Sequence, residues 1–136
     1  ALLQRVDLVV DATDNYPVRF ALNRACIDAG LPLVSAAAVR AEGQVAVFDP
    51  LRGGPCYRCL YREGADDSAL SCSQSGVLAP LVGVLGSLLA METLKVLAGY
   101  GEPLRDALLV LDLHSMEVRK LALAPAADCP DCAHLR

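Results

Sequence analysis

Two Cys-x-x-Cys pairs, Cys56-Tyr57-Arg58-Cys59 and Cys129-Pro130-Asp131-Cys132, stand about seventy residues apart in a chain of 136. A turn of this spacing points two thiolates at one tetrahedral metal, and two such turns complete a four-cysteine set. The spacing therefore predicts a zinc site with no position left open for water, structural rather than catalytic. Gly54, Pro55 and Pro130 suit tight knuckles. Such a site brings the end of the chain back onto its middle and closes a long loop through the metal.

Three other uses of the same cysteines compete. A thioredoxin-like redox pair belongs at a helix start after a strand, and the second knuckle sits at the chain end. Two disulfides need an oxidising compartment, and no charged segment followed by an apolar stretch and cleavage site opens the chain. That absence points to the cytoplasm. A nucleic-acid-binding zinc ribbon needs clustered basic charge, whereas twelve basic residues face sixteen acidic ones, a net charge of -4. Aromatics at 4% and the lack of Trp also speak against base-stacking platforms. Neither nucleic acid nor membrane is an expected partner.

The rest reads as one α/β domain with a core of Leu, Val and Ala, since apolar residues reach 54%. Val6–Asp11 is a parallel-strand candidate, followed by a helix that starts near Asn15 and Pro17 and stops at Gly30. Strands are expected at Leu33–Val39 and, after a turn at Glu42-Gly43, at Gln44–Asp49. Arg62 to Gly76 is a polar loop long enough to suggest function. Pro80 to Ala98 reads as the longest helix, with Gly83 and Gly86 as close-packing positions. The apolar window Val77–Met91 is shorter than the roughly 20 residues a membrane span requires. Leu108–Leu113 and Val118–Leu123 then resemble a hairpin. The expected architecture is α/β, Rossmann-like, with a parallel beginning and an antiparallel C-terminal part.

Several single residues carry chemistry. Asp11-Ala12-Thr13-Asp14-Asn15 ends the first strand, where open parallel sheets place their ligand crevice. A carboxylate there can hold Mg²⁺, or Asp14 or Asn15 can cap the next helix; geometry permits one residue to take each role. Cys72 sits among Ser71, Ser73 and Gln74 in the polar loop, where a thiol is accessible. Cys26 lies on an apolar helix face and reads as core, and His114 and His134 read as surface. Neither G-x-G-x-x-G nor G-x-x-x-x-G-K-[ST] occurs, so this chain by itself lacks the usual phosphate cradle.

These segments together resemble the MoeB/ThiF adenylyltransferases, relatives of the ubiquitin-activating enzymes. Asp11-Ala12-Thr13-Asp14-Asn15 with Arg19 and Asn23 matches the family's D-x-T-D-N-x-x-x-R-x-x-x-N segment. Gly43-Gln44, Pro55 to Leu60, Gly76 to Gly83, Ala90 to Lys95 and the terminal knuckle continue it in order. The resemblance implies a homodimer and a structural zinc on Cys56, Cys59, Cys129 and Cys132. It implies ATP and Mg²⁺ as cofactors, with Asp14, Asn15, Arg19 and Asn23 on the nucleotide side. The partner it implies is a ubiquitin-like sulfur-carrier protein, adenylylated at its C-terminal Gly-Gly for molybdopterin or thiamin biosynthesis. Cys72 falls where some members carry a cysteine that links covalently to the carrier. The family's Gly-rich nucleotide loop lies in an N-terminal half that this sequence lacks. Residues 1–136 are thus expected to be the C-terminal portion, inactive alone. The alternative is a non-catalytic dimerisation or ubiquitin-like-protein-binding module.

Overall fold

The computed structural model describes residues 2–64 and 75–135. Five strands form one sheet in sequence order: β1 (Val9–Asp11), β2 (Leu33–Val39), β3 (Glu42–Phe48), β4 (Ala107–Asp112) and β5 (Glu117–Ala122). β1 and β2 are parallel, joined through helix α1 (Tyr16–Ala29), and every later pairing is antiparallel. The short helix α2 (Tyr57–Leu60) carries the first knuckle, and α3 (Ala79–Ala98) covers the sheet. The expected α/β class and the parallel-to-antiparallel order are both present.

Strand periodicity divides the core into two layers. Val34, Ala36, Val45, Val47, Ala107 and Leu111 face α3, whose Leu81, Leu85 and Leu89 are buried against them. The alternating Leu33, Ala46, Phe48 and Leu108 face Phe20 and Cys26 of α1 and Tyr57 of α2. Each buried leucine of α3 contributes about 2 kcal/mol. Glu92, also buried, accepts the Leu104 N–H at 2.8 Å and pairs with Lys95, which fixes the approach to β4. By length and composition alone α3 could cross a membrane, yet its inner face is committed to the sheet.

Several boundaries differ from the expected ones. Val6 lies outside the sheet, 44% exposed, and β1 begins only at Val9, because its partner strand β2 starts opposite it at Leu33, just after Pro32. The predicted turn at Glu42-Gly43 is in fact the start of β3; the chain reverses earlier, at Arg40, with φ 55°. Gly43 is needed for close approach rather than for bending, since a Cβ there would lie 2.8 Å from both Leu85 methyl carbons. Asp49 leaves the strand to pair with Arg105 at 2.9 Å. At Gly83 and Gly86, by contrast, an added Cβ would meet nothing within 4 Å among the described residues.

The helix ends follow the sequence signals. Asn15 accepts the Val18 N–H at 3.0 Å as N-cap, Pro17 occupies the first turn, and Gly30 closes α1 at φ 72°. The hairpin lies one residue earlier than expected. Its turn is closed by Asp112 Oδ1, which accepts the N–H groups of His114 at 2.9 Å and Ser115 at 3.4 Å. Those bonds, that of His114 first, hold the Asp112 carboxyl below its ordinary range.

Candidate metal centre and crevice

The two knuckles meet. Cys56 precedes α2, and Cys59 N–H turns back onto the Cys56 carbonyl at 3.0 Å; Cys129 and Cys132 flank the matching turn near the C-terminus. All four Sγ atoms lie within 4.8 Å of one another. Individual separations are 3.9 Å for Cys56–Cys59, 3.6 Å for Cys56–Cys129 and 3.5 Å for Cys59–Cys132. A tetrahedron with Zn–S bonds of about 2.3 Å has edges of about 3.8 Å. The donor set and its spacing thus fit a tetrahedral thiolate-binding metal, and no pair is a disulfide. With four sulfurs in place such a centre has no open coordination position.

The thiols are not equivalent. Burial would raise Cys59, but the N–H groups of Ala126 and the Cys56 turn overcome it and bring the thiol down to about 7. Burial raises Cys132 to about 11 and pushes Cys56 well above its ordinary value.

The crevice forms beside the C-terminal ends of β1 and β2. Asp11 is fully buried and accepts three hydrogen bonds: Thr13 N–H at 2.9 Å, Thr13 Oγ1 at 2.7 Å and Ser35 Oγ at 2.8 Å. It thereby folds the Thr13 turn back over the strand end. Arg19 secures the same turn, donating from Nη2 to the Thr13 carbonyl and, at 3.3 Å, to the Ala36 carbonyl; its Nε lies 3.7 Å from Asp11. With Asn15 committed to capping, the exposed Asp14 is left on a cleft of about 110 Å³ that Arg19, Glu42, Gln44 and Tyr61 also line.

An aromatic cluster joins crevice to knuckles. Tyr57 packs 4.7 Å from Tyr61, 5.3 Å from Phe20 and 5.5 Å from Phe48, and Tyr16 lies 6.0 Å from Tyr61. Every aromatic residue except Tyr100 belongs to it. Tyr61 Oη donates to Gln44 Oε1, fixing the crevice wall. Burial pushes the Tyr61 phenol up to about 12, so it stays a donor at neutral pH.

Asp14, Asn15 and Arg19 come together at the crevice, and the four cysteines come together at the knuckles. The side chain of Asn23 lies on the knuckles: it donates to Asp131 Oδ2 at 3.0 Å and accepts the Tyr57 N–H at 2.9 Å. Cys72 lies outside the described residues. Cys26 is buried core, and His114 and His134 are exposed, as expected. Sequence reasoning quoted Asp11, Gln44, Tyr57 and Asp131 only within motifs, without a role in building the site, and passed over Tyr61. The i, i+4 pairs Tyr16/Phe20 and Tyr57/Tyr61 carried the signal for the aromatic cluster.

Comparison with known proteins is consistent with this layout. The chain is 48% identical over 132 residues to a molybdopterin-synthase adenylyltransferase of Escherichia coli (strain K12), covering 97% of this chain and 53% of that protein. It is 46% identical to a sulfur carrier protein adenylyltransferase of Thermus thermophilus, covering 96% and 50% respectively. It thus spans about half the length of these curated relatives. Its fold matches the crystal structure of Escherichia coli MccB with ATP at a TM-score of 0.75 and 19% identity, over 93% of this chain and 40% of that one. A model of the ThiF family matches residues 1–131. Matched over nearly its whole length, the chain belongs to the ThiF family.

Proposed function

We propose that the chain is the C-terminal portion of an ATP-dependent adenylyltransferase acting on the C-terminal Gly-Gly of a ubiquitin-like sulfur carrier, for molybdopterin or thiamin biosynthesis. One observation carries the reading: Asp14 is free of the capping duty that Asn15 performs and lines the cleft at the strand ends. The adenylyltransferase names of the relatives support the same chemistry. In that reaction a carrier carboxylate oxygen bonds to the α-phosphorus of ATP while the α–β anhydride bond breaks, giving an acyl-adenylate and pyrophosphate.

In this reading Asp14 supplies the carboxylate for Mg²⁺, which when bound neutralises phosphate charge. Asp11 and Arg19 keep the Asp14 turn in place, and Gln44 with Tyr61 shapes the wall along which a narrow tail fits. The four cysteines hold structural zinc, a use compatible with a reducing cytoplasm. Cys72 is assigned a thioester to the carrier: its thiolate attacks the acyl-adenylate carbonyl, the bond from that carbonyl carbon to the phosphate oxygen breaks, and AMP leaves. Homodimerisation belongs to the same proposal, supported by the exposed Met91, Leu94 and Leu97 of α3.

The test is pyrophosphate–ATP exchange by the full-length protein with and without a Gly-Gly-ended carrier. Carrier-dependent exchange is the expected result. Carrier binding with no exchange would overturn the enzymatic reading and leave a non-catalytic binding module. Intact-mass measurement of the reacted protein, with and without Cys72→Ala, checks the covalent link.

A further inference from the structure

Asn23 is 2% exposed in the middle of a 14-residue helix, a place where a carboxamide is costly unless every polar atom is satisfied. Its inventory is one acceptor oxygen and two N–H groups. Oδ1 accepts the Tyr57 N–H at 2.9 Å; Nδ2 donates to Asp131 Oδ2 at 3.0 Å and faces Cys56 Sγ at 3.7 Å. All three partners belong to knuckles, two to the first and one to the second. None of them belongs to the crevice.

We infer that Asn23 is a positioning residue of the metal centre, orienting the Cys56 thiolate through an N–H···S bond while tying both knuckles to α1. The inference goes beyond the proposed activity, and it rests on the reading that the four cysteines hold zinc. Outer-shell donors of this kind fix the orientation of a ligand and spread its charge.

Charge explains why the residue is an amide. Four thiolates around a divalent ion carry a net negative charge, and Asp131 adds another carboxylate at the rim. Arg58 answers Asp131 from one side at 3.0 Å, and Asn23 donates from the other. A carboxylate in place of Asn23 would keep the acceptor for Tyr57 but would set a third anion against Asp131 and Cys56. Shape would be retained and donation lost.

The geometry also links the two sites. Arg19 and Asn23 are one helical turn apart, and Tyr57 touches both neighbourhoods, its N–H on Asn23 and its ring on Phe20 between them. Order at the knuckles therefore fixes the same helix whose Arg19 holds the Thr13 turn.

The experiment uses full-length protein, with zinc content measured first and chelator-driven release followed by a metal indicator. About one zinc per chain is expected in the wild type; a zinc-free wild type would overturn the metal reading itself. Asn23→Ala should release zinc roughly 10–100-fold more readily, and Asn23→Asp at least as readily. Leu85→Ala, in the other core layer between α3 and the sheet and away from the knuckles, serves as a control for lost stability. Release from the Asn23 variants no faster than from this control would overturn the inference while leaving the metal reading intact. Should the variants not fold, the wild type decides: the two Asn23 side-chain amide protons should be protected from exchange with zinc bound and lose that protection on its removal. Amide signals indifferent to zinc would overturn the inference.

Discussion

Asp14 and Asn15 are neighbours whose tasks are divided: Asn15 Oδ1 accepts the Val18 N–H at 3.0 Å and caps α1, leaving Asp14 exposed at the crevice. Substitution should separate them. Asn15→Ala should lower stability by about 1 kcal/mol, the ordinary cost of a lost cap. Asp14→Ala should change stability by less than about 0.5 kcal/mol but remove carrier-dependent pyrophosphate exchange from the full-length protein. Urea midpoints and exchange rates read the two effects. Exchange that survives Asp14→Ala would remove the carboxylate from the proposed reaction.

Gly43 gives a packing test. A methyl at this position would come within 2.8 Å of both Leu85 methyl carbons and 3.0 Å of Leu81. Relief requires α3 to lift from β3, so Gly43→Ala should destabilise by about 1–3 kcal/mol despite the better strand propensity of alanine. Gly83→Ala and Gly86→Ala meet nothing within 4 Å among the described residues. Both should instead stabilise α3 in the isolated chain by about 0.5–1 kcal/mol. Denaturant midpoints of the three variants give the comparison.

That contrast also marks what the sequence made legible. Strand β2, the cap and stop of α1, and the meeting of the two knuckles were readable because a short apolar run after Pro32, Asn15-x-Pro17, Gly30 and Cys-x-x-Cys each act over a few residues. Gly43 was misread as a turn because its reason, the leucines of α3, lies some forty residues away. The knuckle contacts of Asn23 were not legible for the same cause: its partner Asp131 is 108 residues distant, and no local pattern announces it. The Asp11 network was half legible. Asp-x-Thr suggests a side-chain turn, but the parallel register that sets Ser35 beside Asp11 does not appear in either segment alone.

Cys26 supplies a pH test. Burial first, and the Asp11 charge second, raise its thiol from 9.0 to about 11. The native protein should therefore leave Cys26 unalkylated at pH 8, where the unfolded chain reacts, as peptide mass mapping would detect. The linkage has a definite sign: a folded-state value above the unfolded one means that native protein holds the extra proton. The Cys26 contribution is intact below about pH 9 and is lost as pH rises towards 11. Stability should fall less steeply over that window in Cys26→Ala, whatever its stability at neutral pH. An unchanged slope would show that the thiol titrates normally.

The outward face of α3 offers a final test, of the proposed homodimer. Val82, Val84, Met91, Leu94 and Leu97 are 40–60% exposed, whereas Glu92 and Lys95 are paired on the sheet side. Gly83, Gly86 and Ala90 are exposed among them, and small residues allow another helix to approach closely. Leu94, 60% exposed, has little to lose within the fold, so Leu94→Glu should shift thermal stability only slightly if the protein is monomeric. In a dimer closed by this face, each protomer would bury the new carboxylate against an apolar surface, at a cost of several kcal/mol. Full-length wild type should run as a dimer by light scattering and Leu94→Glu as a folded monomer with its zinc retained. A dimer that tolerates Leu94→Glu would move the interface elsewhere, and a monomeric wild type would remove the dimer from the proposal.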